Sequence, residues 1–155
     1  MKKIVFLLFF LILAGCSSDH LGLSDLKEAY PDQVAAPLED LSQEKQELIG
    51  LPDELPFTAD DVKANVDKDQ VEMNYSSSKK AEVLVRTIFH PDNTIKKAEL
   101  QIPLNSGAVA GVQEKDDFVY MEWYNNKDDI LYQLKYQTPE SDKRTQEALE
   151  IANSI

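Results

Sequence analysis

The amino-acid sequence predicts an α+β domain, with a single curved antiparallel β-sheet, half-barrel-like in shape, and a C-terminal helix packed on it. Two observations support this fold class. After Leu51, apolar and polar residues alternate with period two in several segments, which is typical of half-buried antiparallel strands. Near residue 150 the apolar spacing becomes helical, and such a helix must bury its apolar stripe against the sheet.

The composition divides the chain into three parts. Residues 1–15 are predicted to be a signal peptide, and residues 16–50 a lipidated cysteine followed by a flexible tether and a short helix. Residues 51–155 are predicted to form the α+β domain. About a hundred residues are enough for one small domain with its own core.

The first sixteen residues have the organisation of a secretory signal. Lys2 and Lys3 form a basic head, and residues 4–13 are an uninterrupted apolar run. As a helix this run is about 15 Å long, half of what a bilayer core requires, so it is predicted to be a signal rather than a permanent anchor. The tetrapeptide Leu13-Ala14-Gly15-Cys16 resembles the lipobox of bacterial lipoprotein signal peptides.

The lipobox resemblance implies how the protein is processed and where in the cell it is located. Signal peptidase would recognise Leu13, Ala14 and Gly15, and Cys16 would become the N-terminus and carry a diacylglyceryl group. Cys16 is the only cysteine, so an internal disulfide is excluded. We therefore expect a chain held at the extracytoplasmic face of the cell membrane by lipid, with no polypeptide segment in the bilayer.

The negative net charge of the chain limits the classes of molecule that it can bind. With 16 basic and 28 acidic residues the net charge is −12, and removal of Lys2 and Lys3 with the signal peptide makes it −14. Such a chain repels phosphate backbones and anionic headgroups, which disfavours nucleic-acid binding and a polybasic membrane patch. The membrane partnership is therefore predicted to depend on the lipid at Cys16.

Two segments precede the predicted domain. Residues 17–36 are predicted to be a tether, because they lack the apolar density that would offset their ordering entropy. Residues 37–50 are predicted to be a short helix that begins at Pro37 and stops at Gly50. This helix either packs on the domain or docks on a partner. The residues near one face of it are Leu38, Leu41, Leu48 and Ile49.

The domain is predicted to open with extended segments at Leu51-Pro52 and Leu55-Pro56-Phe57, because a residue before proline disfavours helix. Three alternating segments then predict strands, with polar turns at residues 76–80 and 91–93. The predicted core-facing residues are Val71, Met73 and Tyr75, then Val83, Val85, Thr87 and Phe89, then Ala98, Leu100 and Ile102.

A hairpin and a helix complete the predicted domain. In the hairpin, matching of the apolar faces predicts Trp123 opposite Ile130, with residues 125–128 as a four-residue loop. In the same register Met121 lies opposite Tyr132, Val119 opposite Leu134 and Tyr124 opposite Asp129, with Tyr136 on the apolar face. The helix is predicted over residues 141–155. Its apolar stripe consists of Ala148, Leu149, Ala152 and Ile155, with Ile151 beside it.

These segments resemble a domain of unknown function found at the C-terminal ends of exported Gram-positive proteins. The resemblance implies family-signature and core roles for Trp123, Tyr132, Leu149, Ala152 and Ile155. Those domains are similar to LolA-like lipoprotein carriers, whose half-open barrel holds acyl chains, so the resemblance implies an apolar ligand between sheet and helix. The family resemblance also rests on Tyr75 and on residues 82–85, 107–111, 119–123 and 148–155.

The sequence predicts no catalytic residues, no cofactor and no metal site. His20 is in the predicted tether and His90 in a turn, and a single cysteine cannot build a zinc site. Residues 125–129 are the best calcium candidate, but their spacing is not that of an EF-hand and Lys127 lies in their middle. Residues 107–111 are predicted to be a flexible loop rather than a phosphate loop. Trp123, Tyr132 and Tyr136 are predicted to be core rather than ligand-stacking residues.

Three functions remain open at this point. The leading one is a non-catalytic, lipid-anchored binding domain for an apolar ligand or an envelope protein partner. The second is a regulator of envelope stress or signalling that acts on a membrane protein. The third is a cell-wall hydrolase that uses two carboxylates, although no pair stands out among 28 acidic residues. The oligomeric state is not predicted.

Overall fold

The computed structural model describes residues 22–92, 98, 100–140 and 142–155. Residues 13–16, His20 and the beginning of the predicted tether lie outside the described residues. No helix in the described part of the chain is both long and apolar enough to cross a bilayer. The helices are α1 (Leu23–Ala29), a π-helical turn (Pro31–Ala35), a 3-10 turn (Ala36–Leu38), α2 (Gln43–Glu47) and α3 (Arg144–Ser154). The strands are β1 (Asp61–Asp67), β2 (Gln70–Ser76), β3 (Glu82–Phe89), β4 (Leu100–Pro103), β5 (Val109–Glu114), β6 (Phe118–Asn125) and β7 (Ile130–Gln137).

In the described residues these strands form one open antiparallel sheet in the order β1-β2-β3-β7-β6-β5-β4. The C-terminal helix α3 packs against β6 and β7. The predicted α+β fold, a curved sheet with a C-terminal helix, is confirmed. The predicted inner faces of β2 and β3 are also confirmed, because Val71, Met73, Tyr75, Val83, Val85, Thr87 and Phe89 are all buried.

The tether prediction is wrong for residues 22–36. These residues form α1 and the two following turns, and the turns pack against β1. Leu26, Val34 and Leu38 are fully or almost fully buried in the core, and Leu23 and Tyr30 pack against it. Such apolar residues recur every three or four positions, so the segment buries a stripe despite its polar composition. Residues 23–50 therefore belong to the same core as the sheet.

The helix predicted over residues 37–50 is much shorter. The 3-10 turn ends at Leu38, and α2 begins after Ser42, whose Oγ accepts a hydrogen bond from the Lys45 N–H at 3.4 Å. Leu38 and Ile49 are buried. Leu41 and Leu48 also pack on the core, so the predicted apolar face lies against the domain.

Gly50 does not end a helix as predicted. A Cβ at this position would lie 2.9 Å from Cδ1 of Tyr132 and 3.0 Å from Cγ2 of Ile155. Contacts below 3.0 Å require a neighbour to move, so Gly50 permits close approach of the chain to the aromatic core. The segment is fixed there because the Gly50 N–H donates to Thr87 Oγ1 at 2.9 Å and the Tyr132 hydroxyl donates to the Leu48 carbonyl at 3.0 Å.

Two strands were not predicted, and one was misplaced. In β1, Val62, Ala64 and Val66 alternate with polar residues. Three small or medium-sized apolar residues give too weak a pattern to indicate a strand. β5 replaces the flexible loop predicted at residues 107–111, which is wrong from Val109 onward, because Ala110 and Val112 are buried. β4 begins at Leu100, and Ala98 is outside it. Leu100 remains 50% exposed because β4 is at the edge of the sheet.

The predicted hairpin register is wrong by two residues. Trp123 lies opposite Tyr132, and Asn125 opposite Ile130, so the four-residue loop is 126–129. Since the shift is even, the predicted apolar faces are retained. Asp129 adopts a φ of 56°, and the Asn125 side chain donates to Asp128 Oδ2 and accepts from the Lys127 N–H. These loop contacts extend the strand pairing beyond the predicted Tyr124. The other shifted pairs are Met121 with Leu134 and Val119 with Tyr136.

The helix α3 confirms the predicted terminal helix, with a later start. Ala148, Ile151 and Ala152 are buried, and Leu149 and Ile155 pack against the core. Arg144, at the first position of α3, is also buried. Its guanidinium donates to three backbone carbonyls, those of Lys115, Asp116 and Thr138, at 3.1–3.3 Å. This side chain therefore ties α3 to the β5–β6 loop and to the end of β7.

The outer face of the sheet carries a row of polar side chains that are direct cross-strand neighbours. Arg86 donates to Glu72 at 2.6 Å and to Gln133 at 3.1 Å, and the Gln133 amide donates to Glu122 at 3.4 Å. Tyr120, on the same strand as Glu122, donates its hydroxyl to that carboxylate at 2.7 Å. These residues hold four central strands together on the side opposite the core. In the part of the chain that the structure describes, the buried core residues run in sequence from Leu26 to Ala152, and all of them are present in a chain that begins at Ser17.

Candidate functional site

The segment between α2 and β1 lies on the inner side of the domain without regular secondary structure, and we define its residues 54–59 as the strap. Its two ends are fixed, since the Asp53 N–H donates to Ser154 Oγ at 3.2 Å and the Asp60 N–H to the Ser76 carbonyl at 2.9 Å. Between them, no backbone hydrogen bond to any described residue holds the strap. As predicted, the segments around the two prolines are not helical. The strap is held by side chains, because Leu55, Phe57 and Ala59 pack on the core.

Two clefts flank the strap. The apolar cleft, about 640 Å³, lies between the strap and α1 and is lined by Leu26, Ala29, Tyr30, Leu55, Ala59 and Val62, among others. The polar cleft, about 570 Å³, lies between the strap, the β2–β3 turn and the end of β7. Pro56, Phe57 and Thr58 line both clefts. The strap is therefore the wall that separates them.

One row of residues on the inner face of the sheet runs from cleft to cleft. In register, Val62 pairs with Tyr75, Tyr75 with Val83, and Val83 with Tyr136. Val62 lines the apolar cleft and Tyr136 lines the polar cleft. Phe57 of the strap stacks on Tyr136 with ring centroids 6.5 Å apart and an interplanar angle of 7°. The strap therefore contacts the Tyr136 end of this row, and Tyr75 and Val83 lie in the sheet between residues that line the two clefts.

Tyr75 carries a buried hydroxyl without a hydrogen-bond partner among the described residues. The residue is fully buried, and this burial raises the pKa of its phenol far above the ordinary value. A buried polar group left unpaired costs about 1–3 kcal/mol of stability. Natural domains contain few such groups, so this hydroxyl needs a physical explanation.

The charges around the strap are mostly negative. Asp25 and Glu54 line the apolar cleft, and Asp60, Glu140 and Glu147 line the polar cleft together with Lys79. The Ser78 N–H donates to Asp60 at 2.6 Å and holds the pKa of that carboxyl below its usual value. The clefts therefore present an environment that repels anions.

Tyr136, on which Phe57 stacks, also makes a hydrogen bond to Glu147. The Tyr136 hydroxyl donates to Glu147 Oε2 at 2.8 Å. Burial and this hydrogen bond raise the pKa of Tyr136 to about 12. Two of the three acidic side chains of the polar cleft, those of Asp60 and Glu147, are thus engaged in hydrogen bonds within the domain.

The residues predicted from the family resemblance lie elsewhere, at the other end of α3. Trp123, Tyr132 and Ala152 are buried, and Trp123 stacks on Tyr132 with centroids 5.6 Å apart. These three and Ile155 line a third cleft of about 450 Å³, whereas Leu149 packs on the core outside it. Four of the five predicted residues therefore lie close together. They are packed in or against the core, and each also lines this third cleft.

His90 lies in an exposed turn against the β6–β7 loop. Its Nδ1 is 2.8 Å from Asp129 Oδ2, and its N–H donates to the Asp129 carbonyl at 3.0 Å. The Tyr124 hydroxyl also donates to Asp129, and these contacts lower the pKa of the Asp129 carboxyl. The carboxylates of the calcium candidate are thus bound by Tyr124, His90 and Asn125. In the described part of the chain no three His, Cys, Asp or Glu side chains are grouped to hold a metal ion.

Sequence reasoning identified a non-helical segment but not its contact with Tyr136 or its place between the two clefts. The two Leu-Pro pairs gave the local conformation. The missing information was the pairing of β1 with β2, which places Val62 beside Tyr75.

No family model, no curated protein and no solved structure matches this chain. The lipobox and the carrier-like domain therefore stay predictions from the sequence.

Proposed function

We propose that this chain is a lipoprotein, anchored through Cys16 at the extracytoplasmic face of the cell membrane, whose domain binds an apolar ligand without catalysis. The pair of clefts that flank the strap is the observation that carries the binding part of the proposal. Side chains fill the space between α3 and the sheet, since Met121, Leu134, Ala148 and Ile151 are at most 2% exposed. Ligand space is therefore available beside the strap rather than under α3.

The position of α1 supports a role close to the membrane. Five residues separate Cys16 from Gly22, and Leu26 is already buried in the core. An extended link of this length spans about 20 Å. Because the apolar cleft is lined by α1, a lipid on Cys16 would keep that cleft near the headgroups, where apolar molecules concentrate.

The anchoring part is tested by changing Cys16→Ala in the full chain, with Ser17→Ala as the matched control. We expect the Cys16 variant to lose its lipid mass and to leave the membrane fraction or remain unprocessed, while the Ser17 variant stays membrane-bound. Identical fractionation of both variants, with no lipid mass on the wild-type protein, would contradict the anchor.

The binding part is tested by native mass spectrometry of residues 17–155, purified without detergent. A reproducible adduct of lipid mass supports an apolar site. A clean apo mass, together with no uptake of added apolar molecules, would contradict it.

The short link to Cys16 also favours a second candidate, a regulator that acts on a membrane protein. A domain held within about 20 Å of the bilayer can contact the extracytoplasmic parts of neighbouring proteins. Cross-linking of the anchored protein in membranes tests this candidate. A specific cross-linked membrane protein that is lost with Cys16→Ala supports it, and the absence of any such product contradicts it.

A further inference from the structure

We propose that the strap is a lid, and that its opening joins the two clefts into one site for a neutral amphiphile whose polar group hydrogen-bonds to the Tyr75 hydroxyl. This inference rests on the proposed binding function and adds the place, the moving part and the chemical class of the ligand.

The strap has the properties that a lid requires. Its backbone is hydrogen-bonded at the ends, at Asp53 and Asp60, and makes no hydrogen bonds to the described residues between them. The packing of Leu55, Phe57 and Ala59 holds the middle, and few backbone hydrogen bonds are typical of segments that open on binding. Pro56, Phe57 and Thr58 have a cleft on each side, so displacement of this single segment joins both volumes.

The row of inner-face residues beside the strap has the chemical character of a binding surface for an amphiphile. The row of Val62, Tyr75, Val83 and Tyr136 offers apolar and aromatic surface with one hydroxyl that lacks a partner. Ligand sites are usually apolar with a few polar groups that fix orientation. When the strap opens, a ligand with an apolar chain and a hydroxyl or carbonyl group takes the place of Phe57 against Tyr136 and of Leu55 against the core, and it gives the Tyr75 hydroxyl its hydrogen bond.

The surrounding charges select the type of polar group. The lining of the two clefts contains five carboxylates and a single cation, Lys79. A carboxylate or phosphate headgroup would be repelled, whereas a glycerol headgroup would not. A monoacylglycerol has the required combination of a neutral, hydroxyl-bearing head and one acyl chain.

The test uses residues 17–155, which contain every core residue that the structure describes. Monoolein and oleate have the same acyl chain and differ in headgroup charge, so calorimetric titrations with each, below their aggregation concentrations, compare the heads directly. We expect monoolein to bind at least tenfold more tightly than oleate. Tyr75→Phe is expected to weaken monoolein binding three- to tenfold, because one hydrogen bond is lost.

The matched control is Tyr120→Phe, which removes a hydroxyl from the outer face of the sheet and should leave the affinity unchanged. Hydrogen exchange of the amides in residues 51–60 provides the readout for the lid. These amides are expected to exchange quickly in the free protein and more slowly with monoolein bound.

Each result decides a part of the proposal. Equal or tighter binding of oleate overturns the selection of a neutral head. Monoolein binding that Tyr75→Phe does not affect, or that leaves exchange at residues 51–60 unchanged, places the ligand elsewhere and overturns the lid. If lipid-mass adducts are present but monoolein does not bind, the ligand class is wrong while the proposed apolar site stands. The Cys16→Ala fractionation tests the anchor independently of all these outcomes.

Discussion

Replacement of Tyr75 by phenylalanine should stabilise the unliganded protein, which is unusual for a change in a core. The side chain lies on the inner face of β2 between Val62 and Val83 and is fully buried. Its hydroxyl has no partner among the described residues. Tyr75→Phe removes that hydroxyl and leaves the ring and its packing in place.

The magnitude follows from the balance of two effects. In the folded state the hydroxyl has lost its hydrogen bonds to water without replacement, at a cost of about 1–3 kcal/mol. Removal of one oxygen leaves a small gap, which offsets part of the gain. We therefore expect the free energy of unfolding to rise by about 1 kcal/mol, which corresponds to about 3 °C in Tm for a domain of this size.

Urea denaturation of residues 17–155, with both the midpoint and the m-value fitted, measures the change. Tyr132→Phe is the matched control, since the same oxygen is removed from a buried tyrosine that donates to the Leu48 carbonyl at 3.0 Å. We expect this control to lose about 1 kcal/mol. If Tyr75→Phe were destabilised as much as the control, its hydroxyl would have a partner in the unliganded protein, such as a buried water. The reasoning about Tyr75 would then fail.

Three further changes test other parts of the structure. Gly50→Ala places a methyl group against the Tyr132 ring and should lower the free energy of unfolding by about 1–3 kcal/mol. Urea denaturation measures this change, and an unchanged midpoint would contradict the close approach of Gly50 to Tyr132. Arg144→Met leaves three carbonyls without their donor and should lower the free energy of unfolding by about 2 kcal/mol or more. Calorimetry should show a lower Tm, and retention of the wild-type Tm would show that Arg144 does not tie α3 to the sheet. Asp129→Asn tests pH dependence. The folded-state pKa of the Asp129 carboxyl is lowered, so its contribution is present above the ordinary carboxyl pKa and is lost as the pH falls through the lowered value. The Tm difference between wild type and this variant should therefore shrink in acid, and a difference independent of pH would contradict the assignment.

The sheet could be predicted because alternation is a local property of the sequence. Val71 to Tyr75 and Val83 to Phe89 show their buried face directly in the order of residue types. The hairpin face was predicted correctly but its register was not, since a shift of two residues preserves every face. The correct register depends on the loop contacts of Asn125 and Asp129, which composition does not encode.

The N-terminal segment was mispredicted because its composition concealed its spacing. Leu23, Leu26, Tyr30, Val34 and Leu38 recur every three or four residues, which is a helical stripe. The polar residues between them and Pro31 suggested a tether. The stripe was the signal that would have placed this segment on the sheet.

The strap shows the limit of sequence reasoning at the candidate site. Its non-helical conformation follows from Pro52 and Pro56, whose effect on the preceding residues is local. Its position depends on Asp53 meeting Ser154 and on Asp60 meeting Ser76, and only the complete fold brings these residues together. The buried hydroxyl of Tyr75 is likewise invisible in sequence, where an alternating tyrosine indicates only a core position.

The packing of α1 connects the proposed anchor with the proposed site. A flexible tether of twenty residues would let the domain move tens of ångströms from the membrane. Because α1 starts at Leu23 and Leu26 is fixed in the core, the link from Cys16 is about 20 Å at most. Ala29 and Tyr30, at the other end of the same helix, line the apolar cleft, and seven helical residues add only about 10 Å. A sparingly soluble amphiphile released from the outer surface of the bilayer would therefore have a short path to the cleft, whereas the same site on a long tether would receive it mainly through bulk water.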